Sequence, residues 1–187
     1  DNLLTHLHFD HAGGGVKRKE DGFETVFKNA NYWVSRQQWE WAVHPNGREK
    51  ASFMEENLLP MQDSGQLQFI EEEKELYPGI SLRIFNGHTQ GQIIPQIDFN
   101  GRTLVYMADL LPSTGHIPLP YIMSYDTKPL ITLEEKIKFM DEAAENNYTL
   151  FFEHDYYTEC CSLKHTERGV RHDKSFSLEQ FVNEEFL

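Results

Sequence analysis

Thr5-His6-Leu7-His8-Phe9-Asp10-His11-Ala12-Gly13-Gly14-Gly15 is the stretch on which the reading of this chain turns. Leu3–Leu7 is a short apolar run that ends in polar residues and then glycines, which fits a buried strand followed by a loop. At the end of a strand His6 and His8 point the same way, because side chains alternate with a period of two. Asp10 and His11 follow in the turn, where the backbone can swing them to a second position. Three imidazoles and a carboxylate converging on one spot suit a borderline metal such as zinc. The glycines permit the tight turn that gathers them.

Around this stretch lies a chain of 187 residues with 17 Lys or Arg against 30 Asp or Glu, a formal charge of −13. That length buries a real core and fits one domain, 1–187, of ordinary size. So acidic a chain without a basic run argues against a nucleic-acid partner, because phosphate-backbone binding needs clustered Lys and Arg. No run approaches the roughly 18 apolar residues of a membrane span. The two cysteines, Cys160 and Cys161, are adjacent and rule out a disulfide framework. A reducing, cytoplasmic setting is the simpler expectation, although a signal peptide upstream of Asp1 would not be visible. The chain has no initiating Met, and its chemistry begins already at His6, so the reading expects an N-terminal part to be missing.

Strands and helices alternate along the chain. Tyr32–Val34 reads as a strand, Ser35 as the cap of a helix carrying Trp39 and Trp41, and Glu49–Leu59 as a second helix ended by Pro60. Leu67–Ile70, Ile80–Phe85, Gln92–Phe99 and Thr103–Met107 read as strands, the last two joined by an Asn100-Gly101 turn. Pro95 places its strand on an edge or at a bulge. Residues 109–129 show no periodicity, and a loop of that length in a compact domain is more often functional than decorative. Thr132 and Glu135 form a capping box for a helix over Leu133–Asn146. Thr149–Phe152 is a buried strand leading into Glu153-His154-Asp155, two short strands follow, and Ser177 with Gln180 caps a last helix. The order implies a mixed α/β sandwich.

The H-x-H-x-D-H stretch resembles the signature of the metallo-β-lactamase superfamily. Gly87-His88-Thr89, Ala108-Asp109 after a strand, and Glu153-His154 after another strand follow in the order that family uses. The resemblance covers Asp1 to about Thr166. It implies an αββα sandwich of two mixed sheets, with the family's first strands absent here. It also implies two divalent ions, zinc in the first instance and iron or manganese as alternatives. On that pattern His6, His8 and His88 bind the first metal, Asp10, His11 and His154 the second, and Asp109 bridges them. Such a pair holds a bridging hydroxide, lowering a water pKa from about 15.7 to about 7. Asp10 and Asp109 offset half of the metal charge, so the site stays electrophilic.

A finer resemblance lies in Ala108-Asp109-Leu110-Leu111-Pro112-Ser113-Thr114-Gly115-His116 and Tyr121-Ile122-Met123-Ser124-Tyr125-Asp126, which are similar to the quorum-quenching lactonase branch. Where some lactonases carry a Tyr three residues after the bridging Asp, this chain has Pro112. His116 or Tyr121 of the same loop then takes over assistance to the substrate carbonyl. The expected substrate is a small neutral lactone or related ester, since the protein's negative charge disfavours anions. No membrane partner is expected, and a homodimer is compatible with the reading.

Other residues read more simply. His44, His165 and His172 are surface or structural residues. Asp155 can orient a metal-bound His154, and Glu153 is solvated. Tyr32, Trp33, Trp39 and Trp41 are packing residues, with the lining of an acyl pocket as the alternative. The run Glu71–Glu75 is a solvated face, and the cysteines are structural. The rival activities are a phosphotriesterase and a glyoxalase II-like thioesterase, the latter lacking a basic patch for its anionic substrate. A protein of another class, a non-hydrolytic metal binder or a diiron redox domain, uses the same ligand types.

Overall fold

The computed structural model describes residues Asp1–Glu184. The chain divides into two compact units, one formed by Asp1–Glu73 with Thr89–Ile93, the other by Lys74–His88 and the chain from Ile94 onward.

The first unit runs β1 (Asn2–Leu3), α1 (Phe9–Ala12), β2 (Val16–Lys19), β3 (Gly22–Thr25), β4 (Tyr32–Ser35), α2 (Arg36–Val43), α3 (Glu55–Asp63) and β5 (Leu67–Ile70). Strands β1, β4 and β5 form a parallel sheet in that order, and β2–β3 is a separate hairpin. Leu4, Leu7, Tyr32, Val34, Trp39, Phe53, Leu58 and Met61 close its core. Removing such side chains from water stabilises by about 1.5–3 kcal/mol each. Ser35 caps α2 by accepting from the Gln38 N–H, as its sequence predicts.

The second unit runs β6 (Lys74–Tyr77), β7 (Ile80–Phe85), β8 (Gln92–Phe99), β9 (Arg102–Tyr106), α4 (Pro129–Glu145), β10 (Thr149–Phe151), β11 (Cys160–Thr166), β12 (Gly169–Phe176) and α5 (Leu178–Asn183). Its seven-stranded sheet has the order β12-β11-β10-β9-β8-β7-β6. β9 and β10 are parallel, as a connection through α4 allows. Phe85, Ile94, Val105, Met107, Phe139, Met140 and Leu150 centre the main core. Asn100 (φ 54°) and Gly101 (φ 75°) make the predicted tight hairpin turn. Ser177 and Gln180 form a reciprocal capping box on α5. Buried Cys160 and Cys161 have their thiols pushed up by burial, each to about 12, and are inert.

The fold corrects several expectations. The strand predicted over Leu3–Leu7 ends at Leu3: the Leu4 N–H still bonds the Trp33 carbonyl, and the Thr5 carbonyl accepts from the Ile93 N–H instead of from β4. The helix predicted at Glu49–Leu59 starts at Glu55 and contains Pro60, which is tolerated because Glu56, the residue whose carbonyl it leaves unbonded, is exposed. Pro95 lies in an interior strand, where its paired register with β9 begins only at Gln96. Helix α4 starts at Pro129, with Pro at the first helical position replacing the predicted capping box, and Thr132 is buried inside its first turns. The two predicted short strands are a long hairpin, β11–β12. Among the described residues no helix is long and apolar enough to cross a membrane.

Candidate functional site

Within the first unit, His6, His8 and His11 gather on the segment that follows β1. Their rings meet edge-on, His6 to His8 at 4.7 Å between centroids, and tilted, His6 to His11 at 4.0 Å. The approach of His6 to His8 predicted from alternation along a strand is achieved without one: residues 4–8 lie outside any strand, and His8 is the N-cap of α1, its carbonyl accepting the His11 N–H. Asp10 lies on the same turn, its side chain about half exposed, 3.6 Å from His11 Nε2. Gly13–Gly15 form a 3₁₀ turn in the ordinary right-handed region rather than a glycine-only turn. Only Gly15 is demanded by packing, since a Cβ there would lie 3.0 Å from the Tyr32 ring.

Buried partners fix these imidazoles. Thr5 Oγ1 is 3.2 Å from His6 Nδ1, and Glu49 Oε1 is 3.2 Å from His8 Nε2. Glu49 in turn accepts from the Trp41 indole, the Asn46 amide and the Thr89 hydroxyl. Burial opposes its charge, but the hydrogen bonds with His8, Thr89, Trp41 and Asn46 outweigh burial and hold the carboxyl at about 2. Trp41 thus serves as a donor as well as a packing residue. Gln38 accepts from the Leu7 N–H and donates to Thr89 Oγ1 and the Gln90 carbonyl.

Within the second unit, the end of β7 presents His88, the turn after β9 presents Asp109, and the end of β10 presents His154. Ala108 adopts φ 40°, an uncommon conformation for a non-glycine residue, directly before Asp109. The two oxygens of Asp109 face different histidines: Oδ2 lies 3.1 Å from His88 Nε2, and Oδ1 lies 3.3 Å from His154 Nε2. The other nitrogen of His88 is 2.9 Å from Asp126 Oδ1, buried like its partner. Burial lowers the His88 pKa, yet the two carboxylates carry it up to about 9. Near His154, the Tyr106 hydroxyl donates to Glu153. Asp155 accepts from the Thr114 N–H and hydroxyl and from the Tyr157 and Thr158 N–H groups. These bonds outweigh burial and leave Asp155 below its ordinary value. It therefore joins the loop after His154 to the loop that carries His116.

That loop is tied down further. Ser113 Oγ lies 2.9 Å from His116 Nδ1, and His116 is half-buried, its pKa lowered by burial and by Lys136. Lys136, buried on α4, donates to the carbonyls of Pro118 and Tyr121. Burial pulls its pKa down to about 8. Tyr121 itself points outward with 62% of its surface exposed. Glu135, next to Lys136, accepts from the Asn86 and Gly87 N–H groups, and burial raises its carboxyl.

Each unit thus assembles its own share of the sequence-predicted ligands: His6, His8, Asp10 and His11 in the first, His88, Asp109 and His154 in the second. Imidazole and carboxylate are the donors a zinc-like divalent ion takes, and a carboxylate whose two oxygens serve two imidazoles fits a bridging position. A divalent cation beside His88 would replace the proton that Asp109 and Asp126 draw to it. Remaining histidines stand elsewhere: His44 ends α2, His165 lies in β11, and His172 in β12 pairs with Ser175. Sequence reasoning missed Glu49, Glu135 and Lys136, and named Asp126 only within a motif. No spacing marks Glu49 among 30 acidic residues, whereas the Tyr125-Asp126 pair of the resemblance was a usable signal.

A family model described as the metallo-beta-lactamase superfamily matches residues 3–145. An N-acyl homoserine lactonase of Bacillus thuringiensis is 34% identical over 95 residues, covering 49% of this chain and 31% of that protein. A second N-acyl homoserine lactonase, from a Bacillus species, is 33% identical over 89 residues, covering 48% and 29%. The match thus spans about a third of these relatives' length. Among solved structures, a protein described as a probable metal-dependent hydrolase from Staphylococcus aureus superposes with a TM-score of 0.82 at 29% identity, covering 95% of this chain and 61% of that one. A dizinc quorum-quenching lactonase in complex with its homoserine product has a TM-score of 0.80 at 24% identity, covering 93% and 64%. That last likeness is one of fold alone.

Proposed function

Because the chain belongs to the metallo-β-lactamase superfamily, we propose that it is the ligand-bearing part of a binuclear metallohydrolase that opens a lactone or related ester. His6, His8 and His88 hold one divalent ion, Asp10, His11 and His154 a second, and Asp109 serves both. The observation that carries this reading is the Asp109 carboxylate with one oxygen toward His88 and the other toward His154. Zinc is the favoured metal on its donor chemistry.

When bound, such ions supply hydroxide at neutral pH and Lewis acidity toward an ester carbonyl. The protein's own residues do the rest. Asp126 holds the far nitrogen of His88, and Glu49 that of His8, so each ring keeps one orientation. Asp10 and Asp109 moderate the site's positive charge. His116, half-buried and shifted toward its neutral form by burial and by Lys136, is the group in the 113–121 loop fitted to hydrogen-bond the substrate carbonyl or the departing oxygen, in preference to the outward Tyr121. The Bacillus relatives favour a lactone substrate over a phosphotriester, and the net charge of −13 disfavours an anionic thioester.

The test is proton release at constant pH on an N-acyl homoserine lactone by the zinc-loaded protein. Hydrolysis that disappears in Asp109→Ala, together with loss of bound zinc, is the expected result. A protein that binds two zinc ions and releases no protons from the lactone would discard that substrate and move the proposal to thioesters and phosphotriesters. Full activity with both metals in Asp109→Ala would sink the shared-ligand role.

A further inference from the structure

Three residues before Glu135 stands Thr132, and the pair reads in sequence as a helix cap. In the structure the Glu135 side chain leaves its own helix. Its carboxylate accepts the N–H of Asn86 at 2.7 Å and that of Gly87 at 3.0 Å. Hydrogen bonds to an ionised acceptor are about twice as strong as neutral ones, and these two fall on the residues directly before His88. The same segment is gripped from its other side. The Lys128 N–H donates to the Gly87 carbonyl at 2.9 Å, the Thr127 N–H to the His88 carbonyl at 3.0 Å, and Asp126 holds the His88 ring.

Gly87 makes this grip possible. A Cβ at that position would stand 2.3 Å from both the backbone nitrogen and the hydroxyl of Thr132, on α4. The first turns of α4 therefore press against the chain where β7 ends, a contact that only glycine permits. Farther along the same two elements, Arg83 of β7 pairs with Glu142 of α4 at 2.7 Å. This second tie docks the helix without touching the segment before His88.

We propose that Glu135 is a positioning residue for His88: it fixes the Asn86-Gly87 backbone so that one ring nitrogen of His88 meets Asp126 and the other meets Asp109. This rests on the reading of His88 as a metal ligand. Groups that orient a ligand without touching the metal are worth about 10–100-fold in metal affinity, and Glu135 does so through the backbone rather than through the ring.

Glu135→Gln keeps the shape but offers one acceptor oxygen to two N–H donors. Zinc affinity is measured by competition with a chromophoric chelator, and the visible spectrum of the cobalt-substituted protein reports ligand geometry. The expected result is one zinc site weakened about 10–100-fold with a shifted cobalt band, the other site unchanged, and Glu142→Gln binding as the wild type does. Wild-type affinities and spectrum in Glu135→Gln would overturn the proposal, as would an equal loss in Glu142→Gln, which would mean general docking of α4. His88→Ala separates the underlying reading: if it retains both zinc ions, the ligand assignment itself is wrong. If it loses one while Glu135→Gln loses none, only the positioning role fails. Should Glu135→Gln not fold, Glu135→Asp, one methylene too short to reach both N–H groups, carries the same outcomes.

Discussion

His116 shows how a residue's surroundings sharpen what its letter suggests. A loop histidine is ordinary, but this one is half-buried, tied to Ser113, and shifted toward its neutral form by burial and by Lys136. If it assists the carbonyl, His116→Ala lowers kcat about 100-fold while bound zinc stays at the wild-type amount. Steady-state kinetics with metal analysis checks this, and an unchanged kcat would remove His116 from the chemistry. At the same scale, the proposed ligands could be named from the sequence because metal chemistry restricts which side chains can serve. Their buried partners were not. Glu49 stays ionised although buried because His8, Trp41, Asn46 and Thr89 surround it, and no local pattern brings those residues together.

Among the elements, α4 does the most positioning: Glu135 holds the segment before His88, and Lys136 holds the loop that carries His116 and Tyr121. Lys136 also makes stability depend on pH. Its folded pKa, about 8, lies below the ordinary 10.5, so between those values the unfolded chain binds more protons and stability rises with pH. The contribution is complete above 10.5 and is lost as pH falls through 8. Urea unfolding from pH 7.5 to 10.5 should therefore show wild-type stability climbing relative to Lys136→Met, and parallel curves would refute the assignment. The periodicity of α4 was readable in the sequence, but its start was not. Thr132-x-x-Glu135 has the letters of a cap, and packing against Gly87 turned both residues to other uses.

At the scale of the molecule, the proposed ligands come from four places far apart in sequence: residues 6–11, 88, 109 and 154. Ions that hold those segments only in the folded chain stabilise it by mass action, about 2.7 kcal/mol at a free metal concentration of 100 times Kd. Removing metal with a chelator should lower the Tm and make it depend on zinc concentration. A Tm indifferent to chelation would show that the folded chain binds no such ions. The alternation of strands and helices, the Asn100-Gly101 turn and the caps at Ser35 and Ser177 were determined by the sequence alone, because each depends on residues a few positions apart. So was the choice of proposed donors, since imidazole and carboxylate spacing is itself a chemical statement. Only the tertiary structure decided that β1 stops at Leu3, that Pro95 sits in an interior strand, and that Glu49, Asp126 and Glu135 become the supports of the histidines. Those outcomes depend on which distant groups share a buried space, where an unsatisfied charge or a clash costs more than any local preference gains.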